Sequence, residues 1–284
     1  MRIPVDDPQD PQIAVFQGLR DHVLRRRREQ PNGDMAGLFV AEGDIVVERA
    51  LAAGYQLQSI LIDAKRNKPL PDVIDDAIPV YAAGPEVLQR ITGYHLHRGM
   101  LACFIRRELL SFDEAVAGST TVAVIEGVNN PTNLGVILRC AIGLGIDSYY
   151  LDPSCCDPLY RRCARVAMGE SFKTPYARLE SFPEGLETLR QAGFELLALT
   201  PADDAVPLNE LRYSSDDKVA IVLGAEGPGL TDAAMAACDR RVKIPMAGGT
   251  DSINVGSAAA VAFYAITQSR YAVSPRLSDR PDPK

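Results

Sequence analysis

Three segments of the chain combine glycine with polar side chains in patterns that could bind a ligand and act on it. Residues 126–139 read EGVNNPTNLGVILR, residues 224–230 read GAEGPGL, and residues 242–261 read VKIPMAGGTDSINVGSAAAV. Glycine lets the backbone approach a ligand closely, while asparagine, serine and arginine side chains can orient a hydroxyl group and stabilise charge. These residue types indicate a ligand-binding site with a polar reaction centre.

The last two segments also have an ordinary structural interpretation. Residues 224–230 can form a turn into a helix, since glycine tolerates positive φ and proline ends a strand. Ser252 or Asn254 can cap a helix whose small residues allow close packing. The sequence lacks the Gly-Lys-Ser/Thr ending of a P-loop, and no G-x-G-x-x-G follows the first strand of the domain. Nucleoside triphosphates and NAD are therefore not indicated as ligands.

Hydrophobic periodicity predicts two alternating α/β units that would position these segments. The first unit has predicted strands at 38–41, 59–63, 79–81 and 100–105, and predicted helices at 44–53 and 85–90. The second has predicted strands at 121–125, 148–151, 175–177, 195–199 and 219–223, and predicted helices at 134–143, 161–168, 184–192, 232–238 and 255–271. Such alternation favours a mostly parallel sheet covered by helices, with ligands beyond the carboxyl ends of the strands.

The same pattern suggests how the chain is divided. We expect flexible tails at 1–11 and 274–284, which are rich in Pro and Asp and lack apolar periodicity. Between them we predict a first α/β domain at 12–108, a linker at 109–119 and a second domain at 120–273. A further helix is predicted at 12–28, ending in the cationic run 25–28.

Composition limits the class of protein. The chain has 30 Lys and Arg against 37 Asp and Glu, a net charge of −7, which excludes a uniformly basic nucleic-acid coat. No stretch approaches 18 apolar residues, and the acidic, proline-containing N-terminus is unlike a signal peptide, so we expect no membrane association. Six cysteines without a C-x-x-C pair, and only three histidines, indicate no metal and a cytoplasmic location.

Taken together, the three segments resemble the signature motifs of the SpoU (TrmH-like) branch of the SPOUT RNA methyltransferases. The family's motifs are N-x-G-x-x-x-R, then L-G-x-E-x-x-G, then I-P-M followed by S-L-N-V-S, and they occur here in the same order. The residues that carry the matches are Asn133, Gly135, Arg139, Leu223, Gly224, Glu226, Gly229, Ile244, Pro245, Met246, Ser252, Ile253, Asn254 and Val255. Ile253 replaces the usual Leu, and Gly256 replaces the usual second Ser.

This resemblance implies a fold and an activity. It implies a SPOUT-type catalytic domain with a deep trefoil knot, preceded by an L30e-like RNA-binding domain that residues 42–54 and 95–102 resemble more loosely. It implies transfer of a methyl group from S-adenosylmethionine to a ribose 2′-hydroxyl of tRNA or rRNA, by a homodimer. The implied cofactor-binding residues are Leu199, Thr200, Leu223, Gly224, Gly229, Ile244, Met246, Ile253 and Val255.

The implied catalytic residues are Asn133, Arg139, Glu226, Ser252 and Asn254. A ribose hydroxyl is a poor nucleophile at neutral pH, so the site must align three atoms and handle one proton. Because a guanidinium keeps its proton, we assign positioning and charge stabilisation to Arg139 and leave the base as an RNA phosphate or water. Glu226 would fix that guanidinium, or its own loop, by a charge-assisted hydrogen bond.

Two alternative functions stay open: a catalytically silent RNA-binding protein of the same fold, and an RNA methyltransferase that acts on a base. RNA contact is suggested by two basic clusters in an otherwise acidic chain. Residues 161–178 hold five basic residues against Glu170, and Arg240, Arg241 and Lys243 form the second cluster. Such clusters can bind phosphates, although each can also be a solvated helix face.

Overall fold

A computed structural model describes residues 2–20, 24, 28, 32–96, 99–248 and 250–271 of the 284-residue chain. The chain forms two compact units. The first comprises Met1–Glu108 and Asp157–Lys173, and the second comprises Leu109–Cys156 and Thr174–Lys284. The predicted alternation of strands and helices is confirmed in both units.

The elements of the described residues are as follows. The strands are β1 (Arg2–Pro4), β2 (Leu38–Glu42), β3 (Leu57–Asp63), β4 (Val80–Ala83), β5 (Met100–Ile105), β6 (Thr121–Ile125), β7 (Ser148–Leu151), β8 (Tyr176–Arg178), β9 (Glu195–Leu199), β10 (Val206–Pro207), β11 (Val219–Leu223) and β12 (Arg240–Lys243). The α-helices are α1 (Asp44–Ala52), α2 (Pro85–Thr92), α3 (Phe112–Val116), α4 (Pro131–Gly143), α5 (Arg161–Val166), α6 (Leu186–Gln191), α7 (Asp232–Ala237) and α8 (Val255–Tyr271). Short 3₁₀-helices lie at Pro11–Phe16, Glu170–Phe172 and Leu208–Glu210.

The first unit contains a mixed sheet in the order β1-β4-β3-β5-β2. Strand β4 runs parallel to β1 and β3, whereas β5 runs antiparallel to β3 and β2. Successive residues of a strand point to opposite faces, and here they enter two different hydrophobic clusters: Ile60 packs in one and Leu61 in the other. Both faces of the sheet are therefore covered by apolar side chains.

The beginning of the chain differs from the prediction of a flexible tail at 1–11. Strand β1 pairs with β4, so that Arg2 lies opposite Val80, and Val5 is buried. The tail prediction was wrong because a three-residue strand is too short to show a periodic pattern, and its stability comes from pairing with a distant strand.

The predicted helix at 12–28 is also wrong at its start. The chain forms a 3₁₀-helix at Pro11–Phe16 and leaves it at Gln17, whose backbone is extended. Ile13 and Phe16 are both buried. Their spacing of three residues places them on one face of an α-helix and equally on one face of a 3₁₀-helix. Arg28 donates to the carbonyl oxygen of Ala14 and pairs with Asp34, while residues 25–27 of the cationic run lie outside the described residues.

The segment Asp157–Lys173 belongs to the first unit, although the sequence placed it inside the second domain. Leu159, Ala164 and Phe172 pack in the hydrophobic cluster formed with β2, β3 and α1. The buried carboxylate of Glu42 accepts hydrogen bonds from Arg161 and, at 2.9 Å, from Arg165. These long-range contacts, rather than a local pattern, decide the assignment.

The second unit contains a sheet in the order β10-β12-β9-β11-β6-β7-β8. Each adjacent pair of these strands is parallel, which confirms the predicted mostly parallel sheet. Strands β6 and β11 are buried along their whole length, as is typical when helices cover both faces. Helix α4, which begins within the first glycine-containing segment, packs against α8, which begins within the third.

Candidate functional site

The described part of the second unit contains a cavity of about 440 Å³ at the carboxyl ends of three neighbouring strands. Strands β9, β11 and β12 are adjacent in the sheet, so the loops that follow them converge. The cavity is lined by residues at the end of β9 (Leu199, Thr200), after β11 (224–230) and after β12 (Ile244, Met246), together with residues 251–255. This edge is where parallel α/β sheets bind ligands.

The cavity brings together residues that the sequence singled out separately. Each of the nine cofactor-binding residues named above lines it, and so do Glu226, Ser252 and Asn254. The wall is mixed in character, because Leu199, Leu223 and Ile244 are apolar while the glycines of the β11 loop present backbone groups. Pro201 and Asp251 also line the cavity, and the sequence analysis did not assign them a binding role. The sequence feature that points to them is that each is next to a residue that was assigned, Thr200 and Ser252 respectively.

Three of the predicted catalytic residues form one hydrogen-bonded group. The Asn133 amide donates to Glu226 Oε2 at 2.6 Å. The Asn254 amide donates to Glu226 Oε1 at 3.2 Å and to Asn133 Oδ1 at 3.2 Å. Both oxygens of the carboxylate are thus held by amides from two other segments, and hydrogen bonds to an ionised group are stronger than neutral ones. The group fixes the three segments at one point of the cavity rim.

Asn254 has a second role, because it precedes the first residue of α8. Its Oδ1 accepts a hydrogen bond of 2.9 Å from the backbone N–H of Gly256, which is the geometry of an N-cap. A Cβ on Gly256 would lie 2.6 Å from Val136 Cγ1. The absent serine is therefore explained by packing: α8 approaches α4 too closely for a side chain there, and the Gly256 N–H already has its partner.

The loop after β11 is folded tightly on itself. The Gly229 N–H donates to the Ala225 carbonyl at 3.0 Å, and the two residues form an isolated antiparallel bridge. A Cβ on Gly224 would lie 2.1 Å from the Gly229 carbonyl carbon, a separation that real atoms do not reach. Glycine is required at position 224 because the second arm of the loop occupies the space of a side chain. The turn places Glu226 toward Asn133 and Asn254.

The loop that precedes α4 is held by a buried carboxylate that sequence reasoning missed. Asp152, directly after β7, accepts hydrogen bonds from the backbone N–H groups of Gly127 and Cys155 and from the Ser154 hydroxyl. Burial alone would raise its pKa, but hydrogen bonds from Cys155, Ser154 and Gly127 lower the pKa of this carboxyl below its usual value. The sequence feature that could have identified Asp152 is its position at the carboxyl end of a predicted strand.

Arg139 does not join the hydrogen-bonded group. It is exposed on α4, and it makes no hydrogen bond or ion pair with another residue that the structure describes. Six residues of helix turn the chain by about 240° and advance it by about 9 Å, which separates Arg139 from the buried Asn133. The expected contact between Glu226 and this guanidinium is replaced by the two asparagine amides.

The two basic clusters are engaged within the protein more than the sequence suggested. Arg161 is buried against Glu42, and Arg178 donates to backbone carbonyl oxygens, among them that of Asp152. In the second cluster Arg240 pairs with Glu195, Arg241 pairs with Asp204, and Lys243 donates to backbone carbonyl oxygens. Their positive charge is largely neutralised or buried, so we do not assign phosphate binding to either cluster as a whole.

The described residues show neither a metal site nor a membrane-spanning helix. They contain no group of three or more His, Cys, Asp or Glu side chains arranged to hold a metal ion. Within the same ranges, no helix combines the length and the apolar character needed to cross a membrane.

The fold is that of an α/β protein with a cavity at the carboxyl edge of a parallel sheet. The sequence profile of the SpoU rRNA Methylase family matches residues 120–264, half of the chain. The chain therefore belongs to the SpoU rRNA methylase family, and the predicted family is confirmed. The L30e-like character of the first unit stays a prediction.

Individual relatives support this assignment along most of the chain. An uncharacterised tRNA/rRNA methyltransferase of Mycobacterium tuberculosis (strain ATCC 25618 / H37Rv) is 44% identical over 273 residues, covering 95% of this chain and 93% of the relative. A crystal structure of an RNA 2′-O ribose methyltransferase is 27% identical, with a TM-score of 0.76, and covers 95% of this chain and 100% of that one. The SpoU methyltransferase AviRb from Streptomyces viridochromogenes, in complex with AdoMet, is 21% identical over 95% of this chain and 100% of its own, with a TM-score of 0.73, a likeness of fold.

Proposed function

We propose that this protein transfers a methyl group from S-adenosylmethionine to a ribose 2′-hydroxyl of tRNA or rRNA. The observation that carries the proposal is the cavity at the ends of β9, β11 and β12, with the group of Asn133, Glu226 and Asn254 at its rim. Family membership supports methylation of RNA. The 27% identical RNA 2′-O ribose methyltransferase supports ribose rather than a base as the acceptor.

The residues present suit S-adenosylmethionine as the cofactor. A volume of about 440 Å³ lies within the range of about 300–1,000 Å³ usual for small-molecule sites. Leu199, Leu223 and Ile244 offer apolar contacts for a purine ring, and Gly224 and Gly229, which lack side chains, let the ligand come close to the backbone. AviRb, of the same fold, has been solved with AdoMet. We propose binding roles for Leu199, Thr200, Leu223, Gly224, Gly229, Ile244, Met246, Ile253 and Val255.

When bound, S-adenosylmethionine supplies an electrophilic methyl carbon on a positively charged sulfur, so that an O–C bond forms as an S–C bond breaks. We propose that Asn133 and Asn254 hold Glu226 in one orientation, so that the rim presents a fixed acceptor for the ribose hydroxyl. Ser252, exposed on the same rim, would orient the ribose. The hydroxyl proton leaves to an RNA phosphate or to water.

We propose that Arg139 acts on the RNA and not on Glu226. Its guanidinium is exposed and makes no ion pair with the residues that the structure describes, so it can meet a phosphate or the charge that develops during transfer. Arg139→Ala should then abolish transfer while the affinity for S-adenosylmethionine stays within about twofold of wild type. Unchanged turnover would remove Arg139 from the mechanism.

Further parts of the proposal concern assembly and substrate. Helix α8 exposes Val261 (42%) and Tyr264 (57%) on one stripe, which supports a homodimer formed through this helix. We propose that the first unit selects the RNA in the manner of an L30e-like domain and that the end of the second unit forms a trefoil knot. We propose a cytoplasmic location, where the six cysteine thiols stay reduced.

The test is a methyl-transfer assay with identification of the product. Purified protein is incubated with tritium-labelled S-adenosylmethionine and total RNA from source cells that lack this gene, and the RNA is digested to nucleosides and separated. A labelled 2′-O-methylnucleoside is expected. Label on a base would show that the protein methylates a base and not the ribose. Binding of cofactor and RNA without transfer of label would favour the silent RNA-binding protein. Asn254→Ala should lose most activity, whereas the exposed Asn209→Ala serves as the matched control.

A further inference from the structure

One residue outside the cavity lining holds both ends of the loop that follows β11. The backbone N–H of Glu126 donates to the carbonyl oxygen of Leu223 at 2.8 Å, immediately before the loop. The Glu126 carboxylate accepts hydrogen bonds from the backbone N–H of Thr231 at 3.0 Å and from its hydroxyl at 2.8 Å, immediately after the loop. Glu126, which follows the neighbouring strand β6, therefore binds the residues on both sides of the loop 224–230.

The Glu126 side of the contact is buried, and both donors of Thr231 are used in it. Glu126 is 7% exposed, so its carboxylate depends on Thr231 for the hydrogen bonds that replace water. The Thr231 hydroxyl also accepts from the Ala234 N–H at 3.1 Å and thereby caps α7. Its single proton is consequently directed to Glu126. A change at Thr231 therefore leaves the buried carboxylate of Glu126 without a partner.

The contacts of Glu126 with Leu223 and Thr231, here named the clamp, affect the cavity through the backbone of the loop 224–230. Gly224, Glu226 and Gly229 line the cavity, and the two arms of the loop touch, as the distance of 2.1 Å from a Cβ on Gly224 to the Gly229 carbonyl carbon shows. With arms in contact, neither can move without the other. A displacement at Leu223 or Thr231 is passed to the backbone groups that face the ligand.

We infer that Glu126 is a positioning residue for the cofactor: by holding Leu223 and Thr231 it sets the shape of the cavity wall for S-adenosylmethionine, without touching the ligand. The inference rests on the proposed function. A positioning role differs from a role in stability alone. Loss of Glu126 should weaken the affinity for the cofactor, and it should change the rate at saturating cofactor much less.

The experiment is Glu126→Gln. The Thr231 N–H can only donate, so the glutamine carbonyl oxygen must accept from it and the NH₂ group must face the Thr231 hydroxyl, which then loses its acceptor there, while size and shape are kept. We expect the Kd for S-adenosylmethionine, measured by isothermal titration without RNA, to rise about 10- to 100-fold, and KM for the cofactor to rise similarly with kcat within about threefold. Glu114→Gln is the matched control, since the Glu114 carboxylate also accepts from a backbone N–H and a hydroxyl at a helix start, those of Ser111 at α3, but contacts no end of the loop that lines the cavity.

A second pair of variants tests the clamp if Glu126→Gln folds poorly. Thr231→Ser keeps both donors and should bind the cofactor like wild type, whereas Thr231→Val removes the hydroxyl and should raise Kd about 5- to 20-fold. Wild-type binding with unchanged Kd in Glu126→Gln or Thr231→Val overturns the inference and leaves the proposed function intact. A wild-type protein that does not bind S-adenosylmethionine overturns the proposed function, and this inference with it.

Discussion

A single methyl group at Gly224 should distort the loop that lines the cavity and weaken cofactor binding. Its Cβ would meet the Gly229 carbonyl carbon at 2.1 Å and the Leu230 nitrogen at 2.2 Å, whereas ordinary contact begins at 3.4 Å. The two arms of the loop would have to separate by roughly 1 Å. Overpacking of this kind costs about 1–3 kcal/mol. If cofactor binding needs the original loop shape, that cost appears as a rise in Kd of about 5- to 150-fold.

The assay for Gly224→Ala is isothermal titration with S-adenosylmethionine, together with thermal unfolding. Gly143→Ala, at the end of α4, is the control, because a Cβ there has no described atom within 4 Å and alanine favours a helix. The control should bind like wild type and unfold at the same or a slightly higher temperature. A Gly224→Ala protein that binds within twofold of wild type would refute the geometric reasoning.

Three other changes have defined outcomes. Glu42→Gln removes the charge that Arg161 needs while both are buried, and should lower the free energy of unfolding by about 3–5 kcal/mol in urea titrations; a loss below 1 kcal/mol would contradict this. Gly256→Ser should destabilise by about 1–3 kcal/mol through its contact with Val136, and Val136→Ala should recover part of that loss in a double-mutant cycle. Because the folded pKa of Asp152 is lowered, its contribution is present above its unfolded value of about 3.9 and is lost as pH falls through the folded value; Asp152→Asn should flatten this acid limb of stability, and an unchanged limb would contradict the assignment.

The central strands were predictable because they carry the signal that sequence patterns record best. Predicted and observed bounds agree at 121–125, 195–199 and 219–223, where apolar and β-branched runs are buried on both faces of a parallel sheet. Strand β12 was missed because it reads RRVK, and two exposed arginines hide a strand whose pairing is supplied by β9 and β10. This segment forms a strand because β9 and β10 pair with it, and its own residues do not predict that pairing.

The site was predictable only in part. The residues that meet at the cavity come from segments far apart in sequence, so the family motifs, not periodicity, indicated that they belong together. Helix geometry alone separates Asn133 from Arg139, since six residues place them on different faces of a helix. The roles of Glu126 and Asp152 depend on contacts with Thr231 and Gly127 across neighbouring strand ends, which one sequence does not reveal.

The central claim is that the methyl donor binds in the cavity at the ends of β9, β11 and β12. The most direct measurement is a crystal structure of the full chain with S-adenosylhomocysteine, the demethylated product, at a concentration that titration shows to be saturating. We predict electron density for the ligand against Leu199, Gly224 and Ile253. Density for the ligand at another place on the protein, with this cavity empty, would contradict the claim.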